Sequence, residues 1–169
     1  MIEKKYELSH DPKDELEVWD QDRQMNVTLK RIVALKDVVE NKGKRMLIAK
    51  KGSKGGYIES ESNLSQEGAC WVANDAKGYG NANVSGDARV TFDAEVFGDA
   101  KISGTALVAG KPKVYDKAHV YGNAAVYSNS AVFGEAKIYK NAKVYGKSKV
   151  YGKSAIHHDE LIGDGVIER

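Results

Sequence analysis

The chain has 169 residues, a formal net charge of +2, and 41% hydrophobic against 30% charged residues. That length suits one domain with at most a small appendage, and no stretch approaches the length of a membrane-crossing helix. The charged start Glu3, Lys4, Lys5 has no apolar run behind it, so a cytoplasmic protein without membrane contact is expected. The single cysteine, Cys70, cannot form an internal bridge, which agrees with a reducing compartment.

Residues 1–57 show no six-residue period and are expected to form a small β cap. Tyr6 and Leu8 alternate before a turn at Asp11-Pro12. Met25, Val27, Leu29, Val33 and Leu35 share one face of a strand that Arg31 interrupts, although a helix over Val27 to Val39 also fits that apolar run. Asn41 to Lys44 reads as a loop or hairpin turn, and Met46 to Ala49 as a second short strand. Trp19 and Trp71 are expected to pack between this cap and the first coil of the repeats beyond it.

From Ala76 a small residue returns every six positions: Ala82, Ala88, Ala94, Ala100 and onward to Ser154. Two residues after each, from Val84 on, stands a β-branched apolar residue, as in Val84, Val90, Val96, Ile102 and Val108. Side chains alternate across a strand, so the first and third positions point inward and the second and fourth outward. The fifth and sixth are most often Gly followed by Asn, Asp or Lys, residues that tolerate a sharp corner. A short strand and a corner, repeated, wrap into a coil. Three hexads per coil give a triangular solenoid over 58–165, six coils of 18 residues, with 166–169 as a tail.

These Ala-x-Val-x-Gly-Asn/Asp repeats resemble the left-handed parallel β-helix of hexapeptide-repeat proteins, and the handedness is implied by that resemblance alone. The lead-in from Lys54-Gly-Gly-Tyr-Ile-Glu to Val72 is similar to the segment that opens the solenoid in bacterial and prophage-borne β-helix proteins of uncharacterised function. Hexapeptide β-helices of this kind are commonly trimers, so a homo-oligomer, with a trimer favoured, is what the resemblance implies.

A period of 18 stacks outward residues into columns. The fourth position of one face reads Tyr79, Phe97, Tyr115, Phe133, Tyr151, an aromatic ladder. It admits three readings: rings that brace neighbouring coils, an oligomer seam, or a platform that stacks a ligand's base. The third face is the least charged, and Leu107, Ala109, Ala125, Tyr127 and Tyr145 on it are the candidate oligomer contacts. Residues 111–153 hold nine Lys against Asp116 and Glu135 only, a band of +7. Such a band attracts an anionic partner: a nucleotide, a nucleic acid or an acidic host protein. The candidate ligand contacts are Lys113, Tyr115, His119, Tyr121, Phe133, Lys137, Tyr139, Lys149 and Tyr151. Surface lysines that merely protect strand edges would give the same pattern.

No catalytic residue, metal site or cofactor is assigned. His119 and His157 share a face about two coils apart, too far for one zinc ion. The acyltransferases among hexapeptide proteins extrude a loop that these uninterrupted hexads lack, and no phosphate-cradling or nucleophile-elbow motif is present. The residues therefore favour a non-catalytic binding scaffold of phage or prophage type, with counter-defence as a context. The alternatives are an acyltransferase-like enzyme and a structural rod that polymerises end to end.

Overall fold

A computed structural model describes residues 3–169; Met1 and Ile2 of the expected cap lie outside the described residues. The chain is all-β. Among the described residues the helical content is two short 3₁₀ turns, Pro12–Asp14 and Glu61–Asn63. Stacked coils form a parallel β-solenoid of three sheets, and the expected register holds along most of it. Glu95, Lys113, Ala131 and Lys149 pair in succession on the ladder face. Lys101, His119, Lys137 and Ala155 do so on the second. Arg89, Leu107, Ala125, Lys143 and Leu161 do so on the third.

The inward positions fill the bore. Ala76 to Ala142 and Val84 to Ile156 are almost entirely removed from solvent. Where Ser130, Ser148 and Ser154 replace alanine, each hydroxyl donates to the carbonyl three residues earlier, at 2.9, 2.7 and 2.6 Å. A buried hydroxyl with a partner carries little penalty, so serine fits a small-residue position without breaking the coil.

The period slips at both ends. Leu64 bridges to Val84, twenty residues on, whereas Trp71 pairs with Arg89, eighteen on. Two extra residues therefore sit in the corner between Leu64 and Trp71, and Ile58 and Leu64 occupy the third position rather than the expected first. That enlarged corner receives the start of the chain. The Lys5 ammonium donates to the carbonyls of Glu67, Gly68 and Cys70 at 3.2, 3.3 and 3.0 Å. At the other end, Val166–Glu168, expected as a tail, forms a strand beside Lys149–Tyr151. There Val166 lies opposite Lys149, seventeen residues away, so one corner residue is omitted.

The cap comprises β1 (Tyr6–Leu8), β2 (Glu15–Asp20), β3 (Met25–Ala34), β4 (Val38–Glu40), β5 (Met46–Ala49) and β6 (Lys54–Ile58). Residues Val27 to Val39 are thus strand, turn and strand rather than helix. β3 pairs antiparallel with β1, β2 and β6, and β6 joins the ladder sheet through Lys77–Gly78. The register of β3 on β6 shifts between Arg31 and Val33. A bulge reverses which alternate residues face inward. Val27 and Leu29 are buried before it, Ile32 and Ala34 after it, so Val33 and Leu35 do not continue the expected face. Arg31 at the bulge donates to the carbonyls of Gly55 and Asn74, both at 2.8 Å, and lies 4.2 Å over the Tyr57 ring.

The two tryptophans part company. Trp71 is buried and meets Tyr6 edge to face at 6.3 Å. Trp19 remains 48% exposed on β2, so it does not seal the junction as expected.

Candidate binding surface

The ladder exists as a single column. Ring centroids from Tyr79 through Phe97, Tyr115 and Phe133 to Tyr151 are 5.0, 4.9, 4.9 and 4.9 Å apart, with planes within 5° of parallel. Face-to-face stacking has two consequences. Each ring braces the coil above and below, and each internal ring has both faces occupied. A ligand's base meets only ring edges along the column, which argues against the stacking platform for Tyr115 and Phe133.

The cap then covers part of the ladder. The early half of β3 runs past the end of β6 and places Val27 and Leu29 on Tyr79 and Phe97, which retain 4% and 6% exposure. Tyr57, Tyr115 and Val18 border this second cluster. The outer ladder is thereby reduced to the half-buried Tyr115, Phe133 and Tyr151, with Lys113 and Lys149 exposed beside them. The Tyr151 hydroxyl donates to Glu168 at 2.7 Å.

The second face carries His119, Tyr121, Lys137 and Tyr139. Tyr121 and Tyr139 stack at 5.0 Å, and His119 tilts against Tyr121 at 4.3 Å. His119 Nε2 is 3.0 Å from the Ser103 hydroxyl. Partial burial, then the charges of Lys101 and Lys137, hold its pKa below the usual histidine value, so neutral imidazole is its form at pH 7. The third face carries Leu107, Ala109, Ala125, Tyr127 and Tyr145, the two tyrosines stacked at 5.6 Å. The candidate ligand residues thus divide between two adjoining faces and do not converge on one concave site.

The edge between those two faces holds a cavity of about 590 Å³. Its floor is a column of corners, including Gly98-Asp99, Asp116-Lys117 and Gly134-Glu135, and its roof is the tip of the β2–β3 hairpin, Asp20, Asp22 and Arg23. No residue of this cavity was among the ligand residues expected from sequence. Its carboxylates give it a charge opposite to that of the lysine band. Burial, then the charges of Asp116, Asp20 and Asp99, push the Asp22 carboxyl above its ordinary pKa. The corner column could be counted out from the 18-residue period; the hairpin tip that roofs it had no such signal.

The tip is pinned. Arg23 Nε donates to Asp20 at 2.6 Å, and its two terminal nitrogens donate to Glu59 at 2.8 and 2.6 Å. Glu59 also accepts from the Gly80 amide at 2.8 Å. The Arg23 hydrogen bonds hold the Glu59 carboxyl below its usual pKa. Among the described residues no three His, Cys, Asp or Glu side chains are placed to hold a metal ion.

No model of a known protein family matches the chain, and no curated protein matches it either.

Proposed function

We propose that the chain is a non-catalytic β-solenoid scaffold that holds an extended polyanion along its second half. The carrying observation is that all nine lysines of 111–153 are exposed, and among the described residues only Lys113 lies within 4.0 Å of a carboxylate, Glu95 at 3.7 Å. Eight of the nine thus carry charge that no neighbouring carboxylate offsets, which leaves it available to an anionic partner.

Their placement bears on the partner. Lys113 and Lys149 stand on the ladder face, Lys137 on the second and Lys143 on the third, with corner lysines between. A girdle of this kind fits a long anion running over the rod better than a nucleotide in a pocket. With ring faces closed by stacking, recognition would rest on phosphates rather than bases, which favours a nucleic acid backbone over the other anionic partners. The lead-in's resemblance to prophage-borne β-helix proteins supports a phage or prophage setting in the host cytoplasm, where occupying nucleic acid would interfere with host defence.

The test is fluorescence anisotropy with labelled single- and double-stranded DNA and RNA across a salt series. Binding should weaken linearly on a log–log plot, and changing Lys113, Lys137 and Lys149 together to Glu should abolish it. Absence of binding at low salt, or an unaffected triple variant, overturns the reading.

A further inference from the structure

One corner breaks the chemistry of its column. The edge between the third face and the ladder face turns through Asn74, Phe92, Gly110, Ser128 and Gly146, all with positive φ. Asparagine and glycine suit that conformation; phenylalanine does not, and a bulky residue there is an outlier among proteins. Phe92 nevertheless adopts φ 61° and leaves 61% of its surface in solvent. Among the described residues the ring joins neither apolar cluster and pairs with no other aromatic ring.

A hollow lies beside it. β4 and β5 stand over the start of the third face, and under them Met46, Leu47, Ile48, Trp71, Arg89 and Thr91 line a space of about 170 Å³. Apolar spaces of about 150 Å³ admit a benzene ring. Met46 and Leu47 at its lip are themselves exposed, and Arg89 at its rim is already paired with Glu40. Knob and hollow are neighbours on one surface, since Thr91 lines the hollow and Phe92 is the next residue in the chain.

Charge around the pair is self-complementary. Asp93, next to the knob, and Lys44 and Arg45, next to Met46 at the hollow, are exposed and have no ion-pair partner among the described residues. A two-fold axis between knob and hollow would bring Asp93 of one copy toward Arg45 of the other, twice over. A patch that contacts its own copy in this reciprocal way is what a two-fold dimer requires.

We propose that a second copy of this chain docks here, the Phe92 ring of each entering the hollow of the other, to make a two-fold dimer. The pairing uses the cap end of the third face, where Lys111, one coil from Asp93 in the same corner column, is the girdle lysine that adjoins it; Lys137 and Lys149 lie further along the rod. The pairing does not rest on the polyanion reading, and mass and anion binding report on the two separately.

Sedimentation equilibrium and native mass spectrometry of the full chain test it. The wild type should be a dimer. Phe92→Asn, which installs the residue found at Asn74 in the same column, should weaken the dimer at least about tenfold while its melting temperature, measured under monomeric conditions, is unchanged or raised. Asp93→Arg alone should weaken it, and Asp93→Arg with Arg45→Asp should restore it. A wild type that is monomeric or trimeric at all concentrations overturns the proposal. So does a Phe92→Asn protein that remains as dimeric as the wild type, or a charge exchange that restores nothing.

Discussion

The Arg23 guanidinium donates to both carboxylate oxygens of Glu59, across thirty-six residues of chain, and so fastens the tip of the β2–β3 hairpin to the first coil. Two parallel charge-assisted bonds of this kind fix orientation as well as position. Arg23→Ala should destabilise the protein by about 1–3 kcal/mol. Hydrogen exchange should then rise first in β2 and the early half of β3, before the coils open. Uniform loss of protection across cap and solenoid would show that the staple does not act locally.

The hairpin's cover makes the ladder rings unequal. Phe97 is stacked on both faces and roofed by Val27 and Leu29, whereas Phe133 keeps its outer edge in water. Phe97→Ala should cost about 3–5 kcal/mol, and Phe133→Ala clearly less, in urea unfolding. Equal losses would mean that the hairpin contributes nothing to Phe97.

The Gly55-Gly56 pair of the lead-in is explained by close approach. A Cβ on Gly56 would stand 2.5 Å from the Ala76 carbonyl oxygen, and one on Gly55 2.6 Å from the Val72 carbonyl oxygen. Backbone atoms cannot step aside as a side chain can. Gly56→Ala should therefore lower stability by about 1–3 kcal/mol, by thermal unfolding, although alanine elsewhere tends to stabilise through the unfolded chain.

Opposite pH dependences are built into the corner cavity and the ion pair that pins its roof. Glu59 titrates below its unfolded value, so its contribution is present above about pH 4.3 and is lost as pH falls through its folded pKa. Asp22 titrates above its unfolded value, so the folded state holds its proton more tightly, and stability declines as pH rises through that window. Asp22→Asn should raise the melting temperature at pH 7. The gain should vanish below about pH 3.5, where Asp22 is protonated in both states. A gain that persists at low pH would point to packing rather than charge.

The coil is legible in the repeat. Each hexad repeats one local rule, a small residue, a β-branched residue two places on and a corner after that, so Ala118, Val120 and Gly122 could be assigned without knowing their neighbours in space. The columns Tyr115–Phe133 and Lys113–Lys149 came from counting. The same arithmetic failed where the rule lapsed, at the enlarged corner before Trp71 and at Val166, because a register slip leaves no mark in a sequence that has stopped repeating.

What covers the coil is fixed only by packing in three dimensions. Val27 and Leu29 lie on Tyr79 and Phe97, distant in the chain, because a bulge after Arg31 turns the early half of β3 toward the ladder. It likewise set Asp22 against Asp116 and left a hollow beside Phe92. Contacts within the solenoid recur at a fixed interval and can be read as a pattern. Each contact between the cap and a coil occurs once, and its energy depends on shape and burial that no period encodes.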